Sequence, residues 1–211
     1  MSRFLLSSQR ICGGIIREKA ARLERDVSWG SAISAITVLI VGAVKVFFDF
    51  TLDPSLIEGN YGAVWVSRHR SYWDGVIIGA ISERSYPVTS ATWRRPFPLG
   101  WFLEGFGVIW ADGGAVDNSV RVLKRGGVVW FAPRGFEGPR RKAGLNVKRG
   151  TGAVFAAQRA RVPVVVVGIQ YCRGSMFRRS RVVIWSERVF DIGGTAPEGI
   201  TLALDQSLDA I

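Results

Sequence analysis

Ala63-Val64-Trp65-Val66-Ser67-Arg68-His69-Arg70-Ser71-Tyr72-Trp73-Asp74-Gly75-Val76-Ile77-Ile78-Gly79-Ala80-Ile81 enters as a strand and leaves as a helix. The run Ala63–Ser67 is strand-like and the run Val76–Ile81 is helix-like, so Arg68 to Gly75 form a strand-to-helix turn. Such turns, held by a rigid scaffold, often carry catalytic side chains. This one holds His69, the single histidine of the chain, with Asp74 five positions later. Imidazole titrates near neutrality, so a neutral His69 can take a proton from an attacking hydroxyl. A carboxylate on the other ring nitrogen fixes the tautomer and stabilises the imidazolium. Two residues at this spacing also describe an ordinary packed or surface histidine beside Tyr72 and Trp73, so the surrounding chain has to decide.

Outward from the turn, short apolar runs alternate with helical patterns. Candidate strands are Ala63–Ser67, Pro87–Ala91, Gly107–Ala111, Val128–Pro133, Pro163–Gln170 and Arg181–Trp185. Candidate helices are Tyr72–Glu83, Gly100–Gly105, Val116–Arg125, Thr151–Ala160 and Pro197–Ile211. The alternation predicts an α/β fold with a largely parallel sheet flanked by helices. Val162-Pro163-Val164-Val165-Val166-Val167-Gly168 reads as a strand buried on both faces. Upstream, Phe48–Leu52 is strand-like, and Asp53-Pro54 and Gly59-Asn60 are turn signals.

One loop stands apart. Ala132 to Gly144 follows the buried strand and carries Arg134, Arg140, Arg141 and Lys142, with Gly135 and Gly138 among them. Glycines admit close backbone approach to a ligand, and arginines grip phosphate in bidentate fashion; a solvated basic loop would read the same way. Arg94-Arg95, ahead of Pro96-Phe97-Pro98, is a second basic site among aromatics, and Arg178, Arg179 and Arg181 form a third cluster.

The 211 residues suit one domain, or one domain with a small appendage. The chain is 48% hydrophobic with a formal net charge of +11, and its mean hydropathy is +0.19. Basic and apolar together point to an anionic membrane surface rather than to nucleic acid, whose usual modular motifs are absent. Cys12 and Cys172 are far apart and unpatterned, which suggests a reducing compartment and neither a disulfide framework nor a zinc site.

Residues 1–26 mix apolar side chains with Arg3, Arg10, Arg17, Lys19, Arg22 and Arg25, and Val27–Val44 then runs eighteen residues without a charge. That length is at the lower limit for a bilayer span, and its Ser, Gly and Ala content fits an interfacial or membrane-inserted helix, or a core helix, as well. A cleaved signal peptide fits poorly, because a long charged segment precedes the apolar run. Basic residues ahead of it favour a cytosolic amino terminus. The division expected is a membrane-associated helical segment, 1–48, and an α/β domain, 49–211.

Taken in order, these pieces resemble the glycerolipid and lysophospholipid acyltransferase family, whose first motif is His, four residues, Asp. His69-Arg70-Ser71-Tyr72-Trp73-Asp74 is similar to that catalytic block. Gly107-Val108-Ile109-Trp110-Ala111-Asp112 resembles the second block, and Val129 to Gly135 the third, commonly Phe-Pro-Glu-Gly-Thr-Arg. Lys148 to Ala153 resembles the Lys-x-Gly start of the next helix, and Val162 to Val166 the fourth block. There are departures. The second block usually ends in an Arg that binds acceptor phosphate, and here Gly113 follows Asp112. In the third block, aligning from the strand puts Arg134 at the Glu position, whereas aligning from downstream matches Glu137-Gly138-Pro139-Arg140 to Glu-Gly-Thr-Arg. The same run also resembles a loop of the lipid A secondary acyltransferase branch, which leaves the acceptor open.

The resemblance implies a membrane-associated O-acyltransferase on the cytosolic face of the cell membrane. Its donor would be a fatty acyl thioester on coenzyme A or acyl carrier protein, and its acceptor a lipid hydroxyl such as that of a lysophospholipid. His69 would be the general base and Asp74 its orienting carboxylate. Arg134, Glu137 and Arg140 would bind the acceptor headgroup, with Arg95 on a donor or acceptor phosphate. Backbone amides near Gly135 or Gly138 would meet the oxyanion. Trp93, Phe97, Trp101 and Phe102 are candidates for an acyl-chain groove or for ordinary core. No cofactor is implied, and the chain offers no cluster to hold a metal. The alternative is a catalytically silent lipid-binding or membrane-scaffold protein of the same fold.

Overall fold

The run of valines does form a strand buried on both faces. It is β6, Val164–Cys172, in which Val164 to Ile169 are all buried. The computed structural model describes residues 42, 48–58, 62–81, 84–95, 99–133, 151–172, 180–192 and 197–210. Among them the elements are β1 (Phe48–Leu52), α1 (Pro54–Glu58), β2 (Val64–Val66), α2 (Trp73–Ile81), β3 (Ser85–Ser90) and a 3-10 turn, Ala91–Arg94. α3 (Leu99–Gly105), β4 (Ile109–Ala111), α4 (Ala115–Lys124), β5 (Val128–Phe131), α5 (Thr151–Ala160), β6, β7 (Ser180–Phe190) and α6 (Pro197–Ala210) follow.

The seven strands form one sheet in the order β1-β7-β6-β2-β5-β3-β4. β6, β2, β5, β3 and β4 run parallel, with Val64 opposite both Val129 and Val164. β7 pairs antiparallel with β6, across a register shift between Val166 and Val167, and β1 lies parallel to β7. The expected α/β architecture with a mostly parallel sheet is therefore present. The antiparallel β7 runs well past the predicted Arg181–Trp185.

Side chains alternate across a strand, so each central strand feeds two cores. Val64, Val66, Val129, Phe131, Val164 and Val166 pack with Leu123 of α4, Val154 of α5 and Leu204 of α6. Trp65, Val128, Trp130, Val165 and Val167 pack on the other face with Leu56 of α1 and Ile77 and Ile78 of α2. Asp53-Pro54 starts a helix rather than a plain turn. Asp53 Oδ1 accepts the Ser55 N–H at 3.0 Å, and proline supplies the preset φ of a first helical residue. α4 ends on Gly126 at φ 76°, a left-handed cap that lets the chain turn directly into β5. α2 lies close to Phe106, and a Cβ on Gly79 would collide with that ring. No helix among the described residues is long and apolar enough to cross a membrane. The apolar segment 27–44 lies, apart from residue 42, outside them.

Candidate active site

β2 ends at Val66, and the chain is pinned as it leaves the sheet. Ser67 is buried; its N–H donates to Phe131 O of β5, and its Oγ accepts Trp130 Nε1–H at 2.9 Å while donating to Arg68 O. The same Trp130 meets the His69 ring edge-on, with centroids 5.6 Å apart and planes at 88°. A neighbouring strand thus fixes both the start of the turn and the tilt of the imidazole.

His69 Nδ1 lies 2.9 Å from Asp74 Oδ2. Asp74 sits in the first turn of α2 and is fully buried, whereas the His69 side chain keeps 22% of its surface exposed. Oδ2 also accepts the N–H groups of Arg70 and Ser71, each at 2.9 Å. Oδ1 accepts the hydroxyl of Tyr171. A carboxylate withdrawn from water needs such donors, and the helix amino terminus adds a favourable field. The turn closes on itself as Asp74 N–H donates to Ser71 O and Trp73 N–H to Ser71 Oγ. Because a carboxylate only accepts, Nδ1 carries the ring proton and the lone pair of the neutral imidazole falls on Nε2.

Tyr171 is a site residue that the sequence candidates miss, because the predicted strand stops at Gln170. β6 runs parallel beside β2, with Val66 opposite Val166, and its carboxyl end overhangs the turn. Burial, then the facing Asp74 carboxylate, push the Tyr171 hydroxyl well above its ordinary range, with the Ser71 hydroxyl partly offsetting them. It therefore stays protonated and donates. The available signal is a polar aromatic at the carboxyl end of an aliphatic strand, the edge where open α/β sheets place their sites. Phe48, the first residue of β1, also reaches this edge, with ring centroids 6.4 Å from Tyr171 and 5.9 Å from Trp73. Tyr72 and Trp73 are exposed beside the pair, at 70% and 47%.

The remaining candidates fall only in part among the described residues. Arg95 follows the 3-10 turn beyond the carboxyl end of β3; it is exposed and makes no ion pair with a described residue. Its neighbour Arg94 is held by Glu104 at 3.1 Å and lies over the Trp110 ring. Arg134, Gly135, Glu137, Gly138 and Arg140 lie outside the described residues, as do Phe97 and Lys148. Trp93 is exposed and Trp101 and Phe102 are half-buried, Phe102 stacking on Phe106 at 6.0 Å, so these three stand outside both cores. No group of three or more His, Cys, Asp or Glu side chains among the described residues could hold a metal ion.

Fold and site together define an α/β protein with a histidine–carboxylate pair at the carboxyl edge of its parallel strands. The family model described as Acyltransferase matches residues 53–170, more than half of the chain. The chain belongs to that family and is an acyltransferase. Among solved structures it is similar to the 1-acyl-sn-glycerophosphate (LPA) acyltransferase PlsC from Thermotoga maritima, with a TM-score of 0.61. The match covers 98% of this chain and 92% of that one at 18% identity, which speaks for a shared fold. No curated protein matches the chain.

Proposed function

We propose that this acyltransferase moves a fatty acyl group from a thioester, on coenzyme A or acyl carrier protein, to a hydroxyl of a lipid acceptor such as a lysophospholipid. The observation that carries the reading is the 2.9 Å contact from His69 Nδ1 to a buried Asp74, which leaves Nε2 as the basic nitrogen. Nε2 takes the acceptor's proton as its oxygen attacks the thioester carbonyl carbon. The tetrahedral oxyanion collapses, the C–S bond breaks, and the departing thiolate takes the proton back from the imidazolium. Asp74 holds the imidazolium throughout. Arg95, Arg134, Glu137 and Arg140 are the headgroup candidates, with backbone amides near Gly135 or Gly138 as oxyanion donors. No further cofactor enters this scheme.

The same reading holds the enzyme at the cytosolic face of a membrane. Phe48, the first residue of β1, meets Trp73 and Tyr171 at the active-site edge. Exposed Tyr72 and Trp73 suit a lipid interface at that edge, and the +11 charge suits anionic lipid. A lysophospholipid acceptor also agrees with the shared fold, since the similar Thermotoga protein is a 1-acyl-sn-glycerophosphate acyltransferase.

The test is acyl transfer from a labelled long-chain acyl thioester, in both donor forms, into a total lipid extract, with products resolved by mass. A product made by the wild type and lost in His69→Ala would support the scheme and identify the acceptor. Full activity in a folded His69→Ala protein would remove the general base from it.

A further inference from the structure

The donor set of Asp74 is split. Three of its four donors, His69 Nδ1 and the N–H groups of Arg70 and Ser71, reach Oδ2 and belong to its own turn. The fourth, Tyr171, comes from 97 residues away and is the one on Oδ1. We infer that Tyr171 is a positioning residue for the acyl transfer: its hydroxyl holds Oδ1 so that Oδ2 stays on His69 Nδ1.

The inference rests on the general-base reading above and deepens it. Three physical facts support it. First, a carboxylate rotates about one bond, and a donor on each oxygen fixes that rotation where donors on a single oxygen leave it looser. Second, the Tyr171 hydroxyl is protonated through the working range, because burial and Asp74 both oppose its ionisation. Third, the Tyr171 ring is itself braced, with Phe48 edge-on at 6.4 Å and 71°. Among the described residues, the groups that donate to the carboxylate are His69 and the N–H groups of Arg70 and Ser71 on its own turn, and Tyr171 from β6. β5 and β1 contribute Trp130 and Phe48, which do not titrate.

With the Tyr171 hydroxyl removed, the carboxylate turns more freely about its bond, and Oδ2 holds the His69 Nδ1–H less closely.

His69 is the only histidine in the chain, so a histidine-labelled sample of the full protein gives one imidazole to follow by NMR. The Nδ1–H resonance, shifted downfield by the carboxylate in wild type, should move upfield or broaden in Tyr171→Phe. With the donor and acceptor that the transfer assay identifies, kcat should fall about 10- to 100-fold with KM little changed. Added to Asp74→Asn, Tyr171→Phe should change neither further, since it acts through Asp74. Phenylalanine keeps the ring packing, and thermal unfolding of the variant checks that it folds. An unchanged Nδ1–H resonance and kcat in a folded Tyr171→Phe protein, or an equal loss of kcat in the Asp74→Asn background, would overturn the inference. A dead His69→Ala together with an unmoved Tyr171→Phe would remove Tyr171 alone, whereas an active His69→Ala would remove the base on which it rests.

Discussion

Two strand-to-helix turns leave the same edge of the sheet, each with an aspartate. After β2, Asp74 is fully buried and takes four donors, one of them from β6. After β4, Asp112 is exposed; its Oδ1 takes the Gly114 N–H at 2.9 Å and its carbonyl takes the Ala115 N–H. The local chemistry is alike, a short polar side chain ordering a turn into a helix. The difference lies in the sheet. β2 is flanked on both sides, by β6 and β5, whereas β4 is the edge strand beyond β3. The flanking strands give the first turn Tyr171 and Trp130; the edge turn has one neighbouring strand. β6 brings Asp74 a donor and β5 sets Trp130 against the His69 ring, so the buried pair sits where strands flank its turn on both sides.

Asp74→Ala should show the largest effect. Acyl transfer should fall by about 10³- to 10⁴-fold, the scale of a lost general base and its orienting group. Each of its donors left buried without an acceptor costs about 1–3 kcal/mol, so denaturant unfolding should also shift to lower concentration. His69→Ala should match it in activity and not in stability, since its ring is partly exposed. An Asp74→Ala protein with wild-type stability would contradict the account of a carboxylate held by buried donors.

A smaller effect separates the two turns by pH. Tyr171 has a raised pKa in the folded state, so its contribution to stability is complete below the ordinary tyrosine value of 10.0 and falls as pH rises above it. In that range the unfolded chain releases the phenolic proton and the folded protein keeps it. Wild type should exceed Tyr171→Phe by about 1.5–3 kcal/mol at neutral pH, the range for a hydrogen bond to a charged group, and the gap should narrow above pH 10.0. Denaturant curves of both proteins at several pH values measure it; a gap that is constant or widens would show that the hydroxyl does not donate to a buried carboxylate.

The comparison also explains what can be read from the sequence. Strand and helix positions are legible because period-two and helical patterns are local: Phe48–Leu52 and Thr151–Ala160 fall where their patterns predict them. His69 and Asp74 are legible because their pairing lies within one turn. Tyr171 is not, since its hydrogen bond exists only once β6 lies against β2. The order β6-β2-β5 is set by packing and crossover connections, which leave no mark at the spacing of 97 residues. The reversal of β7 is hidden for the same reason. Trp65, Trp130 and the aliphatics of β6 are alike in composition yet feed different roles, and only the register assigns Trp130 to the His69 ring.

Asp112→Ala completes the contrast and should be the mildest change. Its carboxylate faces solvent, so Gly114 N–H, left behind, can turn to water rather than remain buried without a partner. The loss should stay below about 1 kcal/mol, as for an exposed turn or cap position. Acyl transfer should survive, because Asp112 has no contact with His69, Trp130 or Tyr171 among its hydrogen bonds. Side-by-side unfolding and transfer assays of Asp112→Ala and Asp74→Ala put the explanation at risk. If both variants lose activity alike while both stay folded, the second turn takes part in the reaction. The placement of the site would then follow from the whole carboxyl edge and not from the two-sided flanking of β2.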